Sequence, residues 1–221
     1  MIRRPAFRRG LAEGAPVLLV VLPFGVAFGV LAVGVMPGWL AMVTSLLVVS
    51  GAAQFAMVGL AAAGPEAILV AATGLALRHV PMSATLSGLI GQQPLPVRAG
   101  LAWVLVDESF GLTVDASRRG IDDLVGYKAA IDLQLYTAWM AGTAIGVFVG
   151  PVIDPVALGI EVLFPLLFLG LAVPLLRTRR HWVAAGSAVV FAILATLVLP
   201  EAWQVTAAAV LAALVGALIG D

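Results

Sequence analysis

APVLLVVLPFGVAFGVLAVGV, residues 15–35, runs for 21 positions without a charged side chain. A helix that crosses the hydrocarbon core of a bilayer needs about 20 such residues. MIRRPAFRRG stands before it and supplies Arg3, Arg4, Arg8 and Arg9. A basic lead also opens a secretory signal peptide, but the apolar region of one spans only about 7–15 residues. No clear A-x-A cleavage site follows the run. Residues 15–35 therefore read as a first membrane helix, and residues 1–14 as a basic cytoplasmic N-terminus.

The same pattern recurs along the chain. Apolar stretches lie at about 15–35, 39–62, 66–90, 98–117, 128–150, 157–176, 182–199 and 202–220. Hydrophobic residues make up 62% of the 221 and charged residues 11%. Soluble domains average about 45–50% and about 25%. A chain so poor in charge cannot cover a core in water. Strands are not expected, because the apolar runs are continuous rather than alternating. A helix satisfies its own backbone hydrogen bonds in hydrocarbon, which an open sheet cannot. The expected fold is an all-α, polytopic membrane helix bundle of about eight segments, some broken at Pro or Gly, forming one domain over 1–221. The count falls to seven if the last two, which meet at Pro200 and Glu201, are one broken element.

Charge orients the bundle. With the N-terminus inside, cytoplasmic ends hold Arg3, Arg4, Arg8, Arg9, Arg118, Arg119, Lys128, Arg177, Arg179 and Arg180, and the outer loops hold Arg98. That bias obeys the positive-inside rule. The formal net charge is zero, which gives no pointer to nucleic acid. There is no cysteine and there are two histidines, so neither a thiolate nor a classical zinc site is expected. No Walker, HExxH or GxSxG motif occurs, so no cofactor and no enzymatic activity are expected.

Charge within a span is expensive, at least about 2.5–3.5 kcal/mol at the bilayer centre. Arg78 and His79 lie mid-way along the third stretch, followed by Pro81, which predicts a kink or break. Arg78 reads as a donor fork for a carboxylate or as half of a structural salt bridge. His79 reads as a hydrogen-bonded packing residue or a proton carrier. Asp107 and Glu108 in the fourth stretch are candidates for ion coupling or for pairing with Arg78. Asp115 reads as interfacial, and Asp132 as a structural partner of Lys128 one turn earlier. In the second stretch Ser50 and Gln54 are four apart on one face, and a buried Gln54 must bond something. Gly142, Gly146 and Gly150 form a small-residue stripe for helix packing.

LPFGVAFG (22–29) and EVLFPLLFLG (161–170) place prolines inside apolar runs. Discontinuous helices mark binding sites in transporters. The expected substrate site gathers Pro23, Phe24, Gly25 and Phe28 from the first stretch, Ser50, Gln54 and Phe55 from the second, Arg78 from the third and Pro165 from the sixth. Phe24, Phe28 and Phe55 would form apolar walls.

Taken together, LPFGVAFGVLA (22–32), SGAAQFAMVGL (50–60), LRHVPMSATL (77–86), DESFGL (107–112), WMAGTAIG (139–146) and GIEVLFPLLFLGLAVPLL (159–176) resemble the AzlC family. The resemblance covers nearly the whole chain. It implies the large subunit of a two-component branched-chain amino acid exporter in the bacterial inner membrane. Its cargo would be leucine, isoleucine, valine or a related amino acid such as methionine. It also implies a small AzlD-type membrane subunit as partner and an ion gradient as the driving force. The chain departs from the family's usual residues at Ala76, Pro81, Met82 and Glu161. Two rival readings are a non-transporting assembly or scaffold subunit and an intramembrane enzyme, for which no nucleophile or metal motif is present.

Overall fold

The computed structural model describes residues 4–91, 93–153, 169, 173, 176 and 178–219. Among the described residues all regular structure is helical. The helices are α1 (Arg4–Gly14), α2 (Leu18–Ala32), α3 (Gly38–Leu47), α4 (Gly51–Gly59), α5 (Pro65–Ala76), α6 (His79–Ile90), α7 (Leu95–Trp103), α8 (Asp107–Arg118), α9 (Leu124–Val149), α10 (Arg179–Val198) and α11 (Glu201–Leu218). Among the described residues, four stretches are long and apolar enough to cross a membrane: Arg4–Ala32, Pro65–Ile90, Leu124–Val152 and Arg179–Val198. Glu161 and Pro165 of the expected sixth segment lie outside the described residues.

The chain divides into two compact units. One is Met1–Gln54 with Ala76–Ile153, and the other is Phe55–Leu75 with Asp154–Asp221. In the first, α9 is the axis, and α1, α2, α3 and α8 pack along it. Asp123 caps its start by accepting from the Gly126 amide at 2.8 Å. In the second unit α10 and α11 pair.

The α2–α9 seam is made by glycine. A Cβ on Gly142 would collide with the Leu22 carbonyl, and one on Gly146 with that of Val26. From the other side, Gly25 and Gly29 face the carbonyls of Trp139 and Thr143. Only residues without a side chain let two backbones approach this closely. The seam also corrects the expectation of a helix broken at Pro23. α2 runs through Pro23 uninterrupted, and the irregular turn falls earlier, at Ala15–Val17. Backbone packing against α9 supports α2 across the hydrogen bond that Pro23 cannot make.

Arg4–Gly14, the basic N-terminal stretch, forms a helix docked on α9. Glu13 accepts from Arg119 Nη1 at 3.0 Å and from the Tyr127 hydroxyl at 2.6 Å. Lys128, expected at the cytoplasmic end of the fifth stretch, is enclosed by the protein. It is 0% exposed, one turn from Asp132 at 2%. Elsewhere the outer surface is apolar: Leu19, Phe148, Leu197 and Leu218 are 75–86% exposed. In water, contiguous patches of this kind drive association. In a bilayer they face lipid.

Candidate functional site

Three of the expected membrane segments are interrupted within the first unit or at its edge. The second unwinds at Val48–Ser50 between α3 and α4, the third at Leu77–Arg78 between α5 and α6, and the fourth at Val104–Val106 between α7 and α8. Each break has a local cause. Val48 and Val49 are β-branched, and Ser50 is suited to begin a helix. Pro81 has no N–H for the Leu77 carbonyl, and its ring clashes there, so α6 cannot extend backward through that turn. The run Val104–Leu105–Val106 precedes Asp107 and Glu108, two acids in the first turn of α8, where the helix dipole favours negative charge. The Val106 amide donates to Ser109 Oγ at 3.3 Å.

Arg78 joins the three breaks. It caps α6, and its Nη1 lies 2.8 Å from Asp107 Oδ2 at the start of α8. Its Nη2 donates to Ser50 Oγ, just before α4, at 3.5 Å. Its Nε is buried and has no hydrogen-bond partner among the described residues. The pair is not sealed: the side chains of Arg78 and Asp107 are 37% and 52% exposed. Asp107 is therefore not a buried charge in this chain. Glu108 stands beside it, half-buried, under the charges of both Asp107 and Arg78. His79 makes a local contact, Nδ1 lying 3.0 Å from the Ala76 carbonyl.

A buried polar network lies beside Ser50. Gln54 is 0% exposed. Its Oε1 accepts from Ser45 Oγ at 2.9 Å and from Trp139 Nε1 at 3.2 Å, and its Nε2 donates to the Val48 carbonyl. Ser45 Oγ also meets Thr143 Oγ1 at 2.9 Å. The Tyr136 hydroxyl donates to the Leu46 carbonyl at 3.0 Å, and Trp103 Nε1 to that of Leu47 at 3.2 Å. The carbonyls freed by the break are thus taken by side chains of neighbouring helices, as irregular backbone at membrane depth requires. Ser45, Trp103, Tyr136, Trp139 and Thr143 were not singled out from sequence. Hydroxyls and indoles on apolar spans opposite a Val-Val-Ser-Gly break were the available signal.

The remaining expected residues fall elsewhere. Gly25 is in the α2–α9 seam. Phe28 is 0% exposed and stacks on Trp139, with ring centroids 6.1 Å apart. Pro23 is on an exposed face of α2 and Phe24 is half-buried. Phe55 is buried on α4. Pro165 lies outside the described residues.

These features point to a membrane protein with an arginine held at broken helices, and comparison with known proteins supplies the family. Residues 16–153 match the family described as AzlC protein. The chain belongs to the AzlC family. An Archaeoglobus fulgidus protein described as an uncharacterized membrane protein is 31% identical over 147 residues. That match covers 65% of this chain and 63% of the relative, so the chain spans less than two thirds of that protein's length. No solved structure matches the chain. Family and relative agree with the apolar helices: this AzlC protein is a membrane protein.

Proposed function

We propose that this AzlC protein is the large subunit of an exporter that moves leucine, isoleucine, valine or the related methionine out across the bacterial inner membrane. It works without enzymatic chemistry, driven by an ion gradient, and with a small AzlD-type subunit as partner. The observation that carries this reading is Arg78. It sits where three interrupted helices meet, shares one amino group with Asp107, and keeps its Nε free of any described partner.

That arrangement suits a zwitterion. The guanidinium and the first turns of α4 and α8 offer donors to a carboxylate. Asp107 and Glu108 offer acceptors to an ammonium. A substrate carboxylate would compete with Asp107 for Arg78 and release Asp107 toward the substrate ammonium. Eight spans with both termini inside remain the proposed topology. The test is efflux of preloaded radiolabelled leucine, methionine and threonine from cells expressing the chain with and without its small partner. Faster loss of leucine or methionine with both subunits supports the proposal. Retention equal to cells lacking both overturns it and favours a scaffold subunit.

A further inference from the structure

Lys128 and Asp132 are the most deeply placed charges among the described residues, with side-chain exposures of 0% and 2%. Lys128 Nζ lies 2.5 Å from Asp132 Oδ2 and donates to the Leu101 carbonyl at 3.2 Å. Leu101 is in the last turn of α7, where carbonyls have no partner within the helix and a cation is favoured. α7 ends at Trp103, and α8 begins at Asp107 after only Val104–Val106. The ammonium therefore holds one side of this break, and Arg78, through Asp107, holds the other. Asp132 Oδ1 is buried and has no hydrogen-bond partner within ordinary geometry among the described residues, the Ser109 side chain being a polar neighbour.

Packing does not require such a pair. Apolar residues of similar volume commonly replace a buried ion pair at no loss of stability. Ionisable side chains within membrane segments pair with each other and mark ion pathways and proton relays. Other charges on elements packed against α9 are Glu13 and the arginines of α1, Arg98 on α7, His79 on α6, and the acids and Arg118 of α8; α2 and α3 bring none. Each member of the pair has the other as the charge acting on it, with Ser109 as a further polar neighbour of Asp132.

We propose that the Lys128–Asp132 pair is the proton-coupling site of the transporter, a role that rests on the transport reading above. One proton binds a lone pair of Asp132 Oδ1 and forms an O–H bond. The carboxylate becomes a neutral acid, and its ion pair with the Lys128 ammonium weakens. Lys128 keeps its proton and its bond to Leu101. Loss of the same proton restores the pair. The change reaches the substrate site through Val104–Val106, because the two ends of that segment are tied to Lys128 and to Arg78.

The test uses the full chain with its small partner in proteoliposomes and has two readouts. The first is infrared difference spectroscopy on acidification. A protonated-carboxyl band is expected in the wild type and absent from Asp132→Asn. The second compares leucine, valine and methionine exchange at equal pH with accumulation driven by a pH gradient. In Asp132→Asn, which mimics the protonated acid and keeps Lys128 on the Leu101 carbonyl, exchange should stay within about threefold. Gradient-driven accumulation should fall by about tenfold or more. A band retained in Asp132→Asn, no band in the wild type, or full gradient-driven accumulation by Asp132→Asn overturns the proposal. Sodium-driven accumulation unaffected by pH overturns it too. If the wild type exchanges none of the three amino acids, the transport reading falls and coupling falls with it, while the infrared band still decides whether Asp132 takes up a proton.

Discussion

Arg78 Nη1 stands 2.8 Å from Asp107 Oδ2, and each residue sits at the interruption of a different membrane segment. Because both side chains remain partly exposed, the pair contributes little to stability, within about 1 kcal/mol for exposed pairs. Arg78→Ala should therefore leave the melting temperature in detergent nearly unchanged while lowering amino acid efflux by about tenfold or more, the equivalent of about 1.4 kcal/mol in carboxylate binding. Normal efflux from Arg78→Ala would remove this residue from the site.

Gln54 behaves differently, because its network is sealed. Gln54→Ala removes one hydrogen bond from each of the Ser45 hydroxyl, the Trp139 indole N–H and the Val48 carbonyl, which keep Thr143, Ser45 and the Ser50 amide as partners. A hydrogen bond lost from such a network costs about 0.5–1.5 kcal/mol. The variant should melt earlier and export every substrate more slowly. Wild-type melting and export together would show that the network is dispensable.

Phe28→Ala tests whether that ring is wall or packing. Phe28 is fully buried against Trp139. Truncation of a buried phenylalanine costs about 3–5 kcal/mol. Loss of stability with an unchanged leucine-to-valine export ratio is expected. A reordered ratio in a stable protein would return Phe28 to the substrate wall.

The glycine seam predicts a position-specific response. Gly146→Val should destabilise by at least about 1–3 kcal/mol, the usual penalty of overpacking, since the added Cβ meets the Val26 carbonyl. Gly111→Ala has nothing within 4 Å of its new Cβ. It should be neutral or stabilise α8 by about 0.5–1 kcal/mol. Equal expression and melting of the two variants would contradict the seam.

Orientation can be checked without background labelling, because the chain has no cysteine. Thr178→Cys, at the N-cap of α10, and Arg118→Cys, in the last turn of α8, should react only with membrane-permeant thiol reagents. Labelling of either by an impermeant reagent in intact cells would reverse the proposed topology.

The sequence by itself determined that the chain lives in a bilayer and is helical, because uninterrupted apolar runs leave no other way to satisfy the backbone. It pointed to Arg78, Asp107, Ser50 and Gln54, because charge and amide groups stand out against such a background. It also placed a break beside Pro81, whose ring and missing N–H act on the turn before it. The breaks at Val48–Ser50 and Val104–Val106 were hidden, because no proline marks them. Their freed carbonyls are answered by Tyr136, Trp103 and Lys128 from other segments. Pro23 misled in the opposite sense, since packing of Gly142 and Gly146 on α2 outweighs one missing hydrogen bond. Only the tertiary structure decided which polar group meets which. In hydrocarbon every buried donor must find its acceptor within the protein, and that partner can lie on any helix that packs nearby.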